Sequence, residues 1–99
     1  MLVAMKYFAA TYTYGENEQL VSDTRPAHRE FIQSQLALGR ILGSGPYVDG
    51  GQALIVLQLD DDASVADAET ILDADPYVSA GALAGREVRE WNPVANTFS

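Results

Sequence analysis

The chain has 99 residues, of which 47% are hydrophobic and 20% charged, so we expect one compact domain over residues 1–99 and no disordered or fibrous architecture. Its net charge of −8 repels phosphate backbones and anionic membranes, which argues against nucleic acid or a membrane as partner. The absence of cysteine excludes disulfides and thiolate chemistry, and the absence of a signal-like or membrane-spanning pattern leads us to expect a cytoplasmic location.

The first two elements are a strand and a helix. Residues Leu2–Tyr14 are rich in β-branched and aromatic side chains, which favour a strand that ends at Gly15-Glu16-Asn17. Apolar residues then recur at roughly helical spacing over Asp23–Gly39. Pro26 suits the first turn of that helix and Gly39 is a natural stop.

A hairpin and a second helix follow. The segments Ile41–Val48 and Ala53–Leu59 are predicted strands, joined by the turn signal Asp49-Gly50-Gly51. Ser64 and Asp67 then resemble a capping box with aspartate in place of glutamate, which predicts a helix through about Ala74.

The last part of the chain gives a helical turn and a strand. Asp75-Pro76 interrupts the second helix, after which Pro76–Ala80 forms one further turn closed by Gly81. Leu83–Trp91 is the final strand. The order βαββαβ predicts an α+β, ferredoxin-like sandwich: a four-stranded antiparallel sheet with two helices on one face, the first and third strands being central.

Both central strands are apolar on both faces, whereas two helices cover only one face of a sheet. The alternating sets are Val3, Met5, Tyr7 against Leu2, Ala4, Phe8, and Leu54, Val56 against Ile55, Leu57, Leu59. A bare apolar sheet face is the kind of patch that marks an interface. We therefore predict a homodimer that presses its open sheet faces together into a barrel-like unit.

His28 is the single histidine of the chain and the candidate general base. If Pro26 takes the first helical position, His28 falls in the first turn on the inward face. Burial and the positive end of the helix dipole then favour the neutral, proton-accepting ring. The structural alternative is that His28 packs at the rim of the core or bonds a backbone carbonyl.

Asp75 is the candidate partner of His28, because a carboxylate orients an imidazole and balances its charge. The alternative is that Asp75 caps the short turn begun by Pro76. One carboxylate does not easily serve both purposes, so the two interpretations compete.

Residues near this pair are candidates for substrate binding. Glycine inside a strand lets the Ser44 hydroxyl and the backbone at Gly45 face a ligand, although an edge-strand bulge explains the same pattern. Arg25 suits a carboxylate or phenolate oxygen, although a solvated arginine is the commoner alternative. The flat side chains Tyr7 and Tyr77 suit a ring, although tyrosines in a sheet protein more often fill the core. Asp60-Asp61-Asp62 lacks the glycine-shaped spacing of a calcium loop, so we expect no metal. Gly43-Ser44-Gly45-Pro46 matches neither a dinucleotide-binding pattern nor a P-loop, and we expect no cofactor.

The combined motifs resemble a YCII-related (YciI-like) domain. They are Arg25-Pro26-Ala27-His28, then Gly39-Arg40-Ile41-Leu42 with Gly45-Pro46, then Asp73-Ala74-Asp75-Pro76-Tyr77-Val78 with Ala80-Gly81. The resemblance implies a ferredoxin-like fold in a dimeric α/β barrel, with a His-Asp pair at His28 and Asp75 in a cleft at the barrel edge. One branch of the family is a dehydrochlorinase for chlorinated hydroxyhydroquinone, which works by cofactor-free proton transfer.

Three functions follow as hypotheses. The first is a cofactor-free lyase or isomerase for a small phenolic or enolic substrate, with His28 as base and Asp75 as its partner. The second is a non-catalytic domain that holds a small ligand in the same cleft. The third is a structural dimer in which the pair stabilises the fold. Haem binding occurs on barrels related to this family, but a single histidine is thin support for it here.

Overall fold

The computed structural model describes residues 5–98, which form a mixed sheet-and-helix sandwich. Its elements are β1 (Met5–Tyr14), α1 (Glu18–Ala37), β2 (Ile41–Pro46), β3 (Gln52–Asp60), α2 (Val65–Leu72), α3 (Pro76–Ser79) and β4 (Leu83–Trp91). The predicted element order is therefore confirmed, with α3 as the extra turn. The predicted strand residues Leu2–Ala4 lie outside the described residues.

The described strands pair antiparallel in the order β2-β3-β1-β4, so β1 and β3 are central as predicted. Alternate residues of these two strands, such as Phe8 and Leu57, are fully buried. They share one core with Ile32 of α1 and Leu72 of α2. The helices therefore pack on one face of the sheet, which confirms the ferredoxin-like sandwich.

Helix α1 begins five residues earlier than the sequence pattern predicts, at Glu18 rather than Asp23. The side chain of Asn17 accepts a hydrogen bond from the amide of Leu20 at 3.1 Å and thereby caps the helix. Pro26 consequently lies inside the helix, not in its first turn. The earlier start was missed because Asn17 was interpreted as the end of the first strand.

The position of Pro26 changes one physical argument about His28. The helix begins at Glu18, so His28 lies more than two turns from its N-terminus. The effect of the helix dipole falls off within the first turn. The expectation that the dipole keeps His28 neutral is therefore wrong, although His28 does lie on the partly buried side of the helix.

The other boundaries differ by small amounts. Strand β2 ends at Pro46 rather than Val48, and its register against β3 shifts between Ile41 and Gly43, which is the predicted bulge on an edge strand. The capping box is present, because the Ser64 amide donates to the Asp67 carboxylate at 2.8 Å and the Asp67 amide donates back to the Ser64 hydroxyl at 3.3 Å. Gly81 has a φ of +71°, which suits glycine after the turn of α3.

The second face of the sheet carries the remaining alternate residues of the central strands. Leu54 and Val56 of β3 are half-buried there. Near its end the chain returns to this face, where the Phe98 ring lies 5.2 Å from that of Tyr7 and 6.3 Å from that of Trp91. The open face is thus partly covered by the chain itself. None of the helices in residues 5–98 combines the length and the apolar character that crossing a bilayer requires.

Candidate active site

Asp75 is the centre of a buried polar network. Its side chain is fully buried, and its carboxylate accepts from the Tyr12 hydroxyl at 3.0 Å and from the Tyr77 amide at 3.0 Å. Nδ1 of His28 lies 2.8 Å from Oδ2 and 3.0 Å from Oδ1 of the same carboxylate. An ionised carboxylate has enough lone pairs for all of these donors, which is why its burial is tolerated.

Asp75 therefore both caps α3 and contacts His28, the two interpretations that compete in the sequence. Its Oδ1 accepts a hydrogen bond from the Tyr77 amide and so caps α3. Its Oδ2 accepts a hydrogen bond from the Tyr12 hydroxyl and is the oxygen nearest to His28. The expectation that one carboxylate does not easily serve both is wrong, because the two oxygens face different partners. The cap itself fixes the carboxylate in place for His28.

The contact with Asp75 determines which ring nitrogen of His28 is available for chemistry. A carboxylate only accepts, so Nδ1 is the nitrogen that carries the proton. The neutral ring then has its lone pair on Nε2, for which the described residues provide no hydrogen-bond partner. The His28 side chain is 13% exposed and lines a cavity, so Nε2 is the atom that can accept a proton from a bound molecule.

Tyr77 fixes the plane of the His28 ring. The two rings stack with centroids 4.1 Å apart and an interplanar angle of 19°. Tyr77 is itself buried, and Tyr14 packs against it edge-on at 6.0 Å. The imidazole is held by a hydrogen bond at one edge and by a ring on one face, which leaves it little freedom to turn.

Tyr12 is the third member of the network and was not singled out in the sequence. Burial raises the pKa of the Tyr12 hydroxyl well above its usual value of 10.0, and the adjacent Asp75 charge and hydrogen bond raise this pKa further. The hydroxyl therefore stays protonated as a donor to Asp75. Its position on β1 follows the same alternation as the buried Phe8 and Ala10, so it faces the helices.

The raised pKa of Tyr12 predicts a loss of stability in alkali. Above pH 10 the unfolded chain releases this proton while the folded protein keeps it, so the free energy of unfolding falls as pH rises. We expect Tyr12→Phe to remove about 1.4 kcal/mol of this decline between pH 9 and 11. Urea unfolding between pH 9 and 11 measures this pH dependence of the free energy of unfolding. Tyr47→Phe, in the exposed hairpin turn, is the matched control. Equal slopes for Tyr12→Phe and wild type would contradict the prediction.

A cavity of about 710 Å³ opens beside His28, between α1 and the β2–β3 hairpin. Of the residues predicted to bind substrate, Arg25, Ser44, Gly45 and Tyr77 line it together with His28. Asp75 lies beneath His28. Strand β2 therefore has both an irregular register and, at Ser44 and Gly45, residues that line the cavity.

Tyr7 does not line this cavity. It alternates with Phe8 on β1 and so faces the side of the sheet away from the helices, where it packs against Phe98. The expectation that Tyr7 lies near the His28–Asp75 pair is wrong. The sequence alternation separated Tyr7 from Phe8 but did not show which face the helices cover.

Arg29 and Tyr14 line the cavity and were not predicted. Arg29 is four residues after Arg25 in α1, and this spacing places two side chains on one helix face. That signal was available in the sequence. Within residues 5–98, no group of three or more histidine, cysteine, aspartate or glutamate side chains is arranged to hold a metal ion.

The fold and the site together define a ferredoxin-like α+β domain that carries a buried carboxylate–histidine pair at a cleft. The chain belongs to the YCII-related domain family, whose pattern matches residues 5–92. The resemblance seen in the sequence motifs is thereby confirmed. No curated protein matches the chain in sequence.

Several solved structures share the fold. A 5-chloro-2-hydroxyhydroquinone dehydrochlorinase from Burkholderia phenoliruptrix, solved with 2,5-dihydroxybenzoquinone, has a TM-score of 0.71 at 19% identity, covering 87% of this chain and 93% of that one. A NIPSNAP family protein from Agrobacterium tumefaciens has a TM-score of 0.65 at 17% identity, covering 100% and 92%. A dimeric ferredoxin-like protein from an uncultured marine organism has a TM-score of 0.54 at 8% identity, covering 88% and 86%.

Proposed function

We propose that this protein is a cofactor-free enzyme in which His28 removes a proton from a small phenolic or enolic substrate. The observation that carries the proposal is the hydrogen bond between Nδ1 of His28 and the fully buried Asp75, which leaves Nε2 as the proton acceptor at the cavity. Asp75 orients the ring and stabilises the imidazolium that forms. The stacked Tyr77 keeps the acceptor lone pair aimed in one direction.

The structurally similar dehydrochlorinase suggests one form of this chemistry. In the keto form of such a substrate, where the chlorine-bearing carbon also carries a hydrogen, His28 takes a proton from a hydroxyl group. The electron pair of the broken O–H bond forms a carbonyl, the neighbouring ring double bond shifts toward the chlorine-bearing carbon, and chloride leaves with the electrons of its carbon–chlorine bond. The sum is loss of HCl, so no oxidant or reductant is needed. An isomerase would use the same first step and return the proton to another atom.

Release of chloride from 5-chloro-2-hydroxyhydroquinone tests the lyase, and incorporation of solvent deuterium into unchlorinated hydroxyquinols tests the isomerase. We expect one of the two with wild-type protein and neither with His28→Gln. If wild type and His28→Gln bind such phenols equally and turn over none, the cleft is a binding site only. If neither binds them and only their stability differs, the pair is structural.

The dimer is part of the proposal. Leu54 and Val56 are half-buried on the open sheet face, where the Phe98 ring packs against Tyr7. One structural neighbour is described as dimeric. Pairing this face with its copy would bury the remaining apolar side chains.

Val56→Glu should convert the dimer to a monomer, because it places a charge in the centre of the buried face. Val48→Glu is the matched control, since Val48 is fully exposed in the hairpin turn and should leave the assembly unchanged. Sedimentation equilibrium measures the oligomeric state of wild type and of both variants. A monomeric wild type, or a Val56→Glu variant that remains dimeric, would overturn this assembly.

A further inference from the structure

The cavity beside His28 has a charge opposite to that of the chain as a whole. The protein carries fourteen acidic residues against six lysines and arginines, yet the cavity lining contains Arg25, Arg29 and His28 and no aspartate or glutamate. Asp75 lies behind His28 and is occupied by its three donors. A positive cleft in an acidic protein concentrates anions locally.

Arg25 and Arg29 form no ion pair with the described residues, unlike the two arginines of β4. Arg86 forms ion pairs with Asp73 at 2.9 Å and Glu69 at 3.8 Å, and Arg89 lies 3.9 Å from Glu87. No carboxylate in residues 5–98 lies within ion-pair distance of Arg25 or Arg29. Their guanidinium groups are therefore free to bind an external anion.

The positive charges of both arginines also affect Tyr14, which lines the same cavity. Burial and the neighbouring Tyr77 raise the pKa of the Tyr14 hydroxyl, whereas the positive charges of Arg25 and Arg29 oppose this rise. Tyr14 packs edge-on against Tyr77, which stacks on His28. The field of the arginines thus reaches Tyr14, whose ring packs against the ring that is stacked on the candidate base.

We propose that the cleft takes a small organic anion, a carboxylate or phenolate, whose charged oxygen is bound by Arg25 and Arg29 within reach of His28. This deepens the proposed function and, as a statement about substrate, depends on it. Guanidinium groups match such oxygens through paired N–H donors. A substrate anchored by its oxyanion presents the same region of the molecule to Nε2 at each encounter, which is the positioning that proton transfer requires.

The probe is benzoate, with neutral benzamide as its matched analogue. Binding is followed through the His28 ring protons, which give one set of NMR signals because the chain has a single histidine. We expect saturable shifts with benzoate and at least about ten-fold weaker binding of benzamide. Arg25→Gln and Arg29→Gln should each weaken benzoate binding by about ten-fold, whereas Arg40→Gln, the same charge change at an exposed residue outside this cavity, should not.

Equal binding of benzoate and benzamide, absence of saturable shifts, or an effect of Arg40→Gln as large as that of the cavity arginines would overturn the anion site. The test is separable from that of catalysis. His28→Gln, followed through the Tyr77 ring signals, should still bind benzoate although we expect its turnover to be at least about a hundred-fold lower. Benzoate binding without turnover of any phenol would uphold the anion site and reject the enzyme.

Discussion

Replacement of His28 by glutamine should lower kcat/KM for chloride release from 5-chloro-2-hydroxyhydroquinone by about a hundred- to ten-thousand-fold, the usual contribution of a positioned general base. Glutamine retains a polar group of similar size for Asp75 but does not accept a proton at neutral pH. The side chain lies at the cavity wall, 13% exposed, so the core should remain folded. Steady-state kinetics and circular dichroism of the same samples measure both properties.

Asp75→Asn provides the matched comparison for this kinetic test. Its amide oxygen still accepts from the Tyr77 amide, but the charge that stabilises the imidazolium is gone. We expect an intermediate rate and an altered pH profile of kcat/KM. Retention of turnover within a few-fold in His28→Gln would show that another group takes the proton.

Replacement of Asp75 by alanine should lower the free energy of unfolding by about 3–5 kcal/mol, a large part of the stability of a domain this size. The substitution leaves the Tyr12 hydroxyl, the Tyr77 amide and Nδ1 of His28 without their acceptor in a fully buried place. It also removes the cap of α3. Urea unfolding with fluorescence detection gives the value.

Two further variants make the stability result interpretable. Asp61→Ala removes the same carboxylate from an exposed loop and should change stability by less than about 0.5 kcal/mol. Asp75→Asn retains part of the network and should fall between wild type and Asp75→Ala. If Asp75→Ala were as stable as Asp61→Ala, the prediction would be contradicted and the buried network would contribute little to folding. The arrangement of Asp75 and His28 would then matter for the proposed chemistry alone.

The fold was accessible from the sequence because its signals are local. Alternation marked the central strands, the Ser64–Asp67 box marked α2, and Pro76 marked α3, each through neighbouring residues. The start of α1 could not be predicted from local signals, since Asn17 can end a strand or cap a helix and Pro26 suits a first turn. Tertiary packing of Val21 in the core favours the longer helix.

The candidate site was predictable to the extent that its residues carry distinctive chemistry. A single histidine and an aspartate before proline drew attention to His28 and Asp75, and the structure brings them within 2.8 Å. Alternation places Tyr7 and Tyr12 on opposite faces of one strand, but it does not show which of these faces the helices cover. Arg29 was missed although its spacing from Arg25 was visible.

Pro26 divides α1 into two segments that are less firmly joined than an ordinary helix. Proline has no amide hydrogen, so the carbonyl of Ser22 lacks its usual donor at this point of the backbone. Arg25 lies on one side of this break and His28 and Arg29 lie on the other. A ligand that contacts both arginines would bridge the two segments, so we expect an occupied cleft to stiffen the helix at the turn where this backbone hydrogen bond is missing.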